Sequence, residues 1–213
     1  MNDTDAVTLA SQLCSRLCHD LLSPVGALSN GLELLADEQD PEMRQRCMEL
    51  LEQSARTSAN KLKFFRLAYG AAGGFDDRID MTDPKAVIEA LAADARRVEL
   101  NWALAVDSLP KPAVKVLLNF AQMGLDALVR GGTLDIGAER RDGASEIVVR
   151  ATGPKVAFDD SIGKALEGSL PAEGLSGRTA PAHMLYLLAD SCEGELQYHQ
   201  SEEALVLGAV LPG

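Results

Sequence analysis

Apolar residues recur at Leu9, Leu13, Leu17, Leu21, Val25, Leu28, Leu32 and Leu35, at steps of three or four residues. Such spacing draws one stripe along an α-helix, and it passes Pro24 without losing phase. One long helix is therefore expected, kinked near Pro24, where the ring removes an internal hydrogen bond. A polar turn over 36–42 follows, with Asp40 placed to cap a second helix that has Pro41 at its first position. Met43, Cys47, Leu50, Leu51, Ser54, Ser58, Leu62 and Phe65 share one side of that helix. It is expected to end near Tyr69-Gly70, with Gly73-Gly74 continuing the break. Two long amphipathic helices with a short connection make an antiparallel hairpin that cannot cover its own apolar faces. Two hairpins pairing as a four-helix bundle solve that problem, so a homodimer is expected.

Beyond Gly74 the periodicity changes. The pattern gives a helix from Pro84 to about Arg97, a strand at 102–106 and a helix from Pro112 to about Arg130. Strands at 133–136 and 147–149 turn around Asp142-Gly143, and a helix from Pro181 to Asp190 precedes strands at 196–198 and 205–211. The fold class is α+β: a helical hairpin domain over residues 1–74 and an α/β sandwich over residues 75–213.

A net charge of -12 and an aromatic content of 4% weigh against nucleic acid and membrane surfaces as partners. No run approaches the roughly 20 apolar residues of a bilayer span. The acidic start lacks the basic region of a secretory leader, and Cys14, Cys18, Cys47 and Cys192 show no disulfide framework, so a cytoplasmic protein is expected. The acidity is uneven. Residues 1–70 carry 7 basic and 10 acidic side chains, against 13 and 22 in the remainder. Between Met43 and Tyr69, six basic residues face two acids. A run of this kind can be no more than a solvated helix face, but it also suits an acidic protein partner, whose encounter it would steer.

His19 lies two positions from both Leu17 and Leu21, roughly 200° around the helix from each at about 100° per residue. It therefore points away from the bundle core, on a face with Gln12, Ser15, Arg16, Ser23 and Gly26. A solvent-facing imidazole among small neighbours offers a nucleophilic nitrogen to another protein's active site. Asp20 is placed to hydrogen-bond the other ring nitrogen and fix its tautomer. A lone exposed histidine is ordinarily only a surface residue; the string His19-Asp20-Leu21-Leu22-Ser23-Pro24-Val25 is what gives it meaning. Cys14, Cys18 and His19 make a poor metal site, because zinc wants four convergent ligands, and the cysteines are expected as small core residues beside Leu17. His183 and His199 are expected to be structural or surface residues, and Trp102 a core residue at the start of a strand.

That string resembles the H-box of dimeric sensor histidine kinases: His, then an acid, a small polar residue at the fourth following position, and proline at the fifth. The resemblance implies that His19 is phosphorylated, that Asp20 assists as a base, and that Ser23 positions water for dephosphorylation of a partner. Kinases usually carry Thr or Asn where this chain has Ser23. The second half resembles the ATP-binding domain of the same kinases, with departures. The magnesium-holding Asn of the kinase helix falls on Asp126 or, on another alignment, on Asn119. In Val149-Arg-Ala-Thr-Gly-Pro-Lys155 the adenine-binding Asp is replaced by Ala151 and the last glycine by Lys155. The final glycine-rich box is missing from Arg178–Leu185. The domain is thus expected to keep the fold and to have lost the nucleotide.

A phosphorylatable histidine bundle with a degenerate ATPase-like domain is similar, over essentially the whole chain, to the ChpT-type histidine phosphotransferases of alphaproteobacterial phosphorelays. That resemblance implies transfer from the receiver Asp of a hybrid histidine kinase (CckA-like) through His19 to response regulators (CtrA-like and CpdR-like). No cofactor of its own is implied, and Mg2+ would come from the receiver. Arg16, Leu22, Gly26, Arg56 and Lys63 are the candidates for the receiver-docking surface, and partner docking is the expected present role of the second domain. The rival readings are an ATP-dependent histidine kinase with a divergent pocket and a non-catalytic dimeric adaptor that binds receivers.

Overall fold

The computed structural model describes residues 3–70, 78–95 and 97–212. Helices α1 (Asp3–Asp37) and α2 (Pro41–Ala68) form the hairpin. Asp40 caps α2, its carboxylate accepting the Glu42 N–H at 3.2 Å, and Pro41 follows as the first helical residue. α1 is continuous through Pro24. The seam between the helices is built from small side chains: Cys47 and Ser54 are buried, and the buried Ser58 hydroxyl returns to the Ser54 carbonyl at 2.8 Å. Several larger members of the two stripes point outward, with Val25, Leu32, Met43, Leu50 and Leu62 all exposed. Cys14 and Cys18, expected in the core, are exposed as well. A single hairpin buries only the strip that faces its second helix, and both cysteines lie off it.

The second half adds β1 (Arg78–Asp80), α3 (Thr82–Asp94), β2 (Val98–Leu104), β3 (Ser108–Pro110), α4 (Lys111–Ala127), β4 (Gly132–Arg141) and β5 (Ala144–Thr152). It continues through α5 (Asp160–Leu166), a 3-10 turn at Ala172–Gly174, α6 (Ala180–Ser191), β6 (Glu195–Gln200) and β7 (Ala204–Pro212). Five strands form one sheet in the order β2-β4-β5-β7-β6, parallel only between β2 and β4, while β1 and β3 pair separately. Helices cover one face of the sheet. The strands turn Leu134, Ile136, Ile147, Val149, Leu205 and Leu207 into that layer, all essentially inaccessible.

Several boundaries differ from the sequence pattern. β2 begins at Val98, so Trp102 stands mid-strand, half-buried, with the Lys85 ammonium 5.7 Å above its ring. α4 stops at Ala127, before Arg130. The three-residue strands β1 and β3 and the seven-residue α5 were not expected. α5 owes its start to Asp159, whose carboxylate accepts from both the backbone and the hydroxyl of Ser161. The proposed break at Gly73-Gly74 and the boundary between residues 74 and 75 lie outside the described residues. What the structure adds is a physical joint between the halves: Phe64, Phe65, Leu67 and Ala68 at the end of α2 belong to the same buried cluster as α3, α4 and the sheet.

α4 lies close on the sheet because residue 124 is glycine. A β-carbon there would stand 2.5 Å from a Leu134 methyl and 3.4 Å from Val149. Gly124→Val is expected to overpack this seam and cost about 1–3 kcal/mol, read as a lower urea midpoint with an unchanged slope.

Candidate functional site

The His19 side chain is 84% exposed, and its Nδ1 lies 3.2 Å from Asp20 Oδ1. A carboxylate accepts only, so this contact places the ring proton on Nδ1 and leaves the Nε2 lone pair facing solvent. Asp20 itself is mostly covered, and its second oxygen accepts from Arg16 Nε at 2.7 Å. An i,i+4 pair of this exposure contributes at most about 1 kcal/mol. Its consequence is orientation: the carboxylate that holds His19 is held on its other side.

The backbone at Asp20 carries a second constraint. In an α-helix the Asp20 carbonyl would accept the N–H of residue 24, and Pro24 has none. Lys61, reaching across from α2, supplies the donor, with Nζ 2.9 Å from the Asp20 oxygen. α1 is thus helical on both sides of the proline, with this carbonyl satisfied. Lys61 was counted in the sequence only as part of a basic run; the usable signal was a proline four residues after Asp20.

Behind Asp20 a cleft of about 670 Å³ separates the hairpin from the second half. Arg16, Asp20 and Lys61 form one wall, Asp94, Asn119, Gln122 and Asp126 the opposite one, and Phe158, Asp159 and Arg178 close the end. The halves touch beside the cleft, where a β-carbon on Gly177 would stand 3.5 Å from the Gln12 carbonyl of α1. The stacked Phe65 and Tyr69 rings, 6.0 Å apart, line the base. Burial pushes the Tyr69 hydroxyl well above its ordinary pKa. Asp126 is half exposed at the mouth of the cleft, yet desolvation by the walls raises its carboxyl above the usual range, with Arg16 and Gln122 pulling the other way.

The positions that the kinase resemblance assigns to nucleotide contacts have other partners or surroundings here, and only some of them line the cleft. Asn119 is buried and donates to the Lys115 carbonyl one turn back on its own helix, at 2.8 Å. Asp126 faces Arg16, with Oδ2 3.4 Å from Nη2. Ala151 is wholly buried in the seam under α4, and Lys155 points to solvent. Gly153 has a packing reason to be glycine, since a β-carbon there would lie 2.5 Å from the Gly131 carbonyl. Arg178 pairs with Asp159 at 2.9 Å.

The other sequence candidates are placed as follows. Ser23 is exposed one turn beyond His19. Leu22 is 70% exposed, and a β-carbon built on Gly26 meets nothing within 4 Å. Arg56 and Lys63 stand out from α2 in solvent. Arg16 is different: its guanidinium turns into the cleft between Asp20 and Asp126. His183 stacks on Tyr186 with its Nδ1 buried and without a hydrogen-bond partner. Burial lowers its pKa, against an opposing pull from Asp5, an acid the sequence reading did not bring near it. Among the described residues, no cluster of three or more His, Cys, Asp or Glu side chains is placed to hold a metal, and no helix is long and apolar enough to cross a membrane.

Lys61→Met leaves the Asp20 carbonyl without a donor and is expected to cost about 1–3 kcal/mol in urea unfolding. Pro24→Ala restores the missing N–H, so the same lysine substitution in that background should cost much less. Equal losses in both backgrounds would show that Lys61 does not serve this carbonyl.

The family described as the histidine phosphotransferase C-terminal domain matches residues 81–204. The chain is 34% identical over 204 residues to the protein phosphotransferase ChpT of Brucella abortus (strain 2308), covering 96% of each. A solved structure described as a bacterial phosphotransferase at 1.7 Å superposes with a TM-score of 0.83 at 32% identity, covering 98% of this chain and 97% of that one. The chain with an open histidine on a helical hairpin and a sandwich closed against it belongs to the ChpT-type histidine phosphotransferases, proteins of two-component phosphorelays.

Proposed function

We propose that His19 accepts a phosphoryl group from the receiver aspartate of a hybrid histidine kinase and passes it to the receiver aspartate of a response regulator. The observation that carries this reading is an exposed imidazole whose Nδ1 is engaged by Asp20 while Nε2 is open. Nε2 attacks phosphorus in line with the aspartyl oxygen. The N–P bond forms as the P–O bond breaks, and the donor leaves as a carboxylate. Asp20 stabilises the positive charge that the ring gains. The second transfer runs the same step in reverse on another receiver. Mg2+ belongs to the receiver's acidic pocket in this scheme.

ATP is not the phosphoryl source in this reading. The internal use of Asn119, the apolar burial of Ala151 and the Arg178–Asp159 pair support that view, because each leaves a nucleotide contact without its usual group. Leu22 and the open space at Gly26 offer a receiver a flat approach to His19, with Arg56 and Lys63 steering an acidic surface toward it. Ser23, exposed one turn on, is the candidate for placing water during dephosphorylation. The second domain contributes a further docking surface.

The phosphorylated receiver should label the wild-type protein with acid-labile phosphate and leave His19→Gln unlabelled. Labelling of His19→Gln overturns the reading. Autophosphorylation from ATP would instead establish a kinase, and tight receiver binding without phosphohistidine an adaptor.

The same reading makes the working unit a homodimer. Val25 and Leu32, seven residues apart on α1, and Met43 and Leu50, seven apart on α2, remain exposed in one protomer. Pairing two hairpins through these residues completes a four-helix bundle. Light scattering should give twice the 22.7 kDa chain mass, and Leu32→Asp with Leu50→Asp should shift it toward the monomer.

A further inference from the structure

Asp20 has two carboxylate oxygens and two claimants. Oδ1 faces His19 Nδ1 at 3.2 Å and Oδ2 faces Arg16 Nε at 2.7 Å. A guanidinium one helical turn from a carboxylate tends to fork onto both oxygens, because its parallel N–H groups match their spacing. Arg16 does not do so here. Its Nη2 is turned away, toward Asp126 Oδ2 at 3.4 Å, and Asp126 is fixed in turn by Gln122 Nε2, which donates to its other oxygen at 2.8 Å. A line of polar contacts therefore runs from α4 of the sandwich, Gln122–Asp126–Arg16–Asp20, to the ring of His19. Asp126 lies 110 residues from Arg16 in sequence. It reaches α1 because the end of α2 is built into the sandwich core, which sets α4 opposite α1.

We propose that Asp126 is a positioning residue for phosphotransfer: by holding Nη2 of Arg16 it keeps one oxygen of Asp20 free to fix the tautomer of His19. This rests on the reading of His19 as the phosphoacceptor. Without the Asp126 carboxylate, Arg16 swings onto both oxygens of Asp20, and the imidazole loses its orienting partner. The 3.4 Å separation is long for a hydrogen bond, so the hold is chiefly electrostatic. A carboxylate of either length will serve, and a neutral side chain will not.

The test uses the full-length protein in three variants, Asp126→Ala, Asp126→Glu and Arg16→Leu with Asp126→Ala, beside Arg16→Leu alone. Two readouts are taken: the rate of labelling by a phosphorylated receiver, and the 15N signature of the His19 ring at alkaline pH, where the neutral ring reports its tautomer. Asp126→Ala is expected to slow labelling about tenfold and to move the ring from a single Nδ1–H form toward a mixture of tautomers. Asp126→Glu should restore both. In the Arg16→Leu background, adding Asp126→Ala should change neither, because the two residues act as one unit. An unchanged ring signature in Asp126→Ala overturns the proposal, and so does a rate loss that persists in full without Arg16. Labelling of His19→Gln would instead overturn the assignment of the phosphoacceptor, which keeps the two failures distinct.

Discussion

The burial of the last turn of α2 ties this molecule together. Phe64, Phe65, Leu67 and Ala68 sit in one cluster with α3, α4 and the sheet, so the hairpin cannot swing independently without exposing them. Fully burying one large apolar side chain contributes about 1.5–3 kcal/mol, more than the Arg16–Asp126 ion pair that crosses the cleft. The position of α4 opposite α1 follows from that joint, and so does every polar contact between the halves. Three of the few aromatic rings, Phe64, Phe65 and Tyr69, pack edge-on or stacked at this point.

Asp20 is the second fixed point. It meets the imidazole through one oxygen, Arg16 through the other and Lys61 through its carbonyl. The proline four residues on explains the last of these, since it withholds the N–H that would have occupied that carbonyl. The H-box string thereby acquires a physical account in which the proline and the acid are parts of one arrangement. The proline opens the backbone to a cross-helix donor, and the donor anchors the residue that orients the histidine. The sandwich completes it through Asp126. A domain whose residues at Asn119, Ala151 and Arg178 are committed to internal packing and pairing still shapes the electrostatics one turn from His19.

Much of this was legible beforehand where a local rule governs. The leucine stripe of α1, the Asp40-Pro41 start of α2 and the Asp142-Gly143 turn between β4 and β5 follow the sequence pattern; both turn residues take positive φ, as a tight hairpin requires. Elements too short to show a period were missed: β1 and β3 at three residues and α5 at seven. The alternation of Val98, Leu100, Trp102 and Leu104 was present and would have lengthened β2. Arg16 read as a surface cation because its helical face was polar, and only the docking of α4 turned it into a cleft residue.

The sequence by itself determined the two helices, the placement of His19 away from their seam and the pairing of Asp20 with it, because all three depend on residues within two helical turns. It also determined the order of the longer helices and strands of the second half. Tertiary structure alone decided that Lys61 would satisfy the carbonyl freed by Pro24, and that Asp126 would stand against Arg16. The reason is distance along the chain. These partners are 41 and 110 residues apart, and no periodicity relates them. Only the hydrophobic joint at the end of α2 brings the helices that carry them within reach.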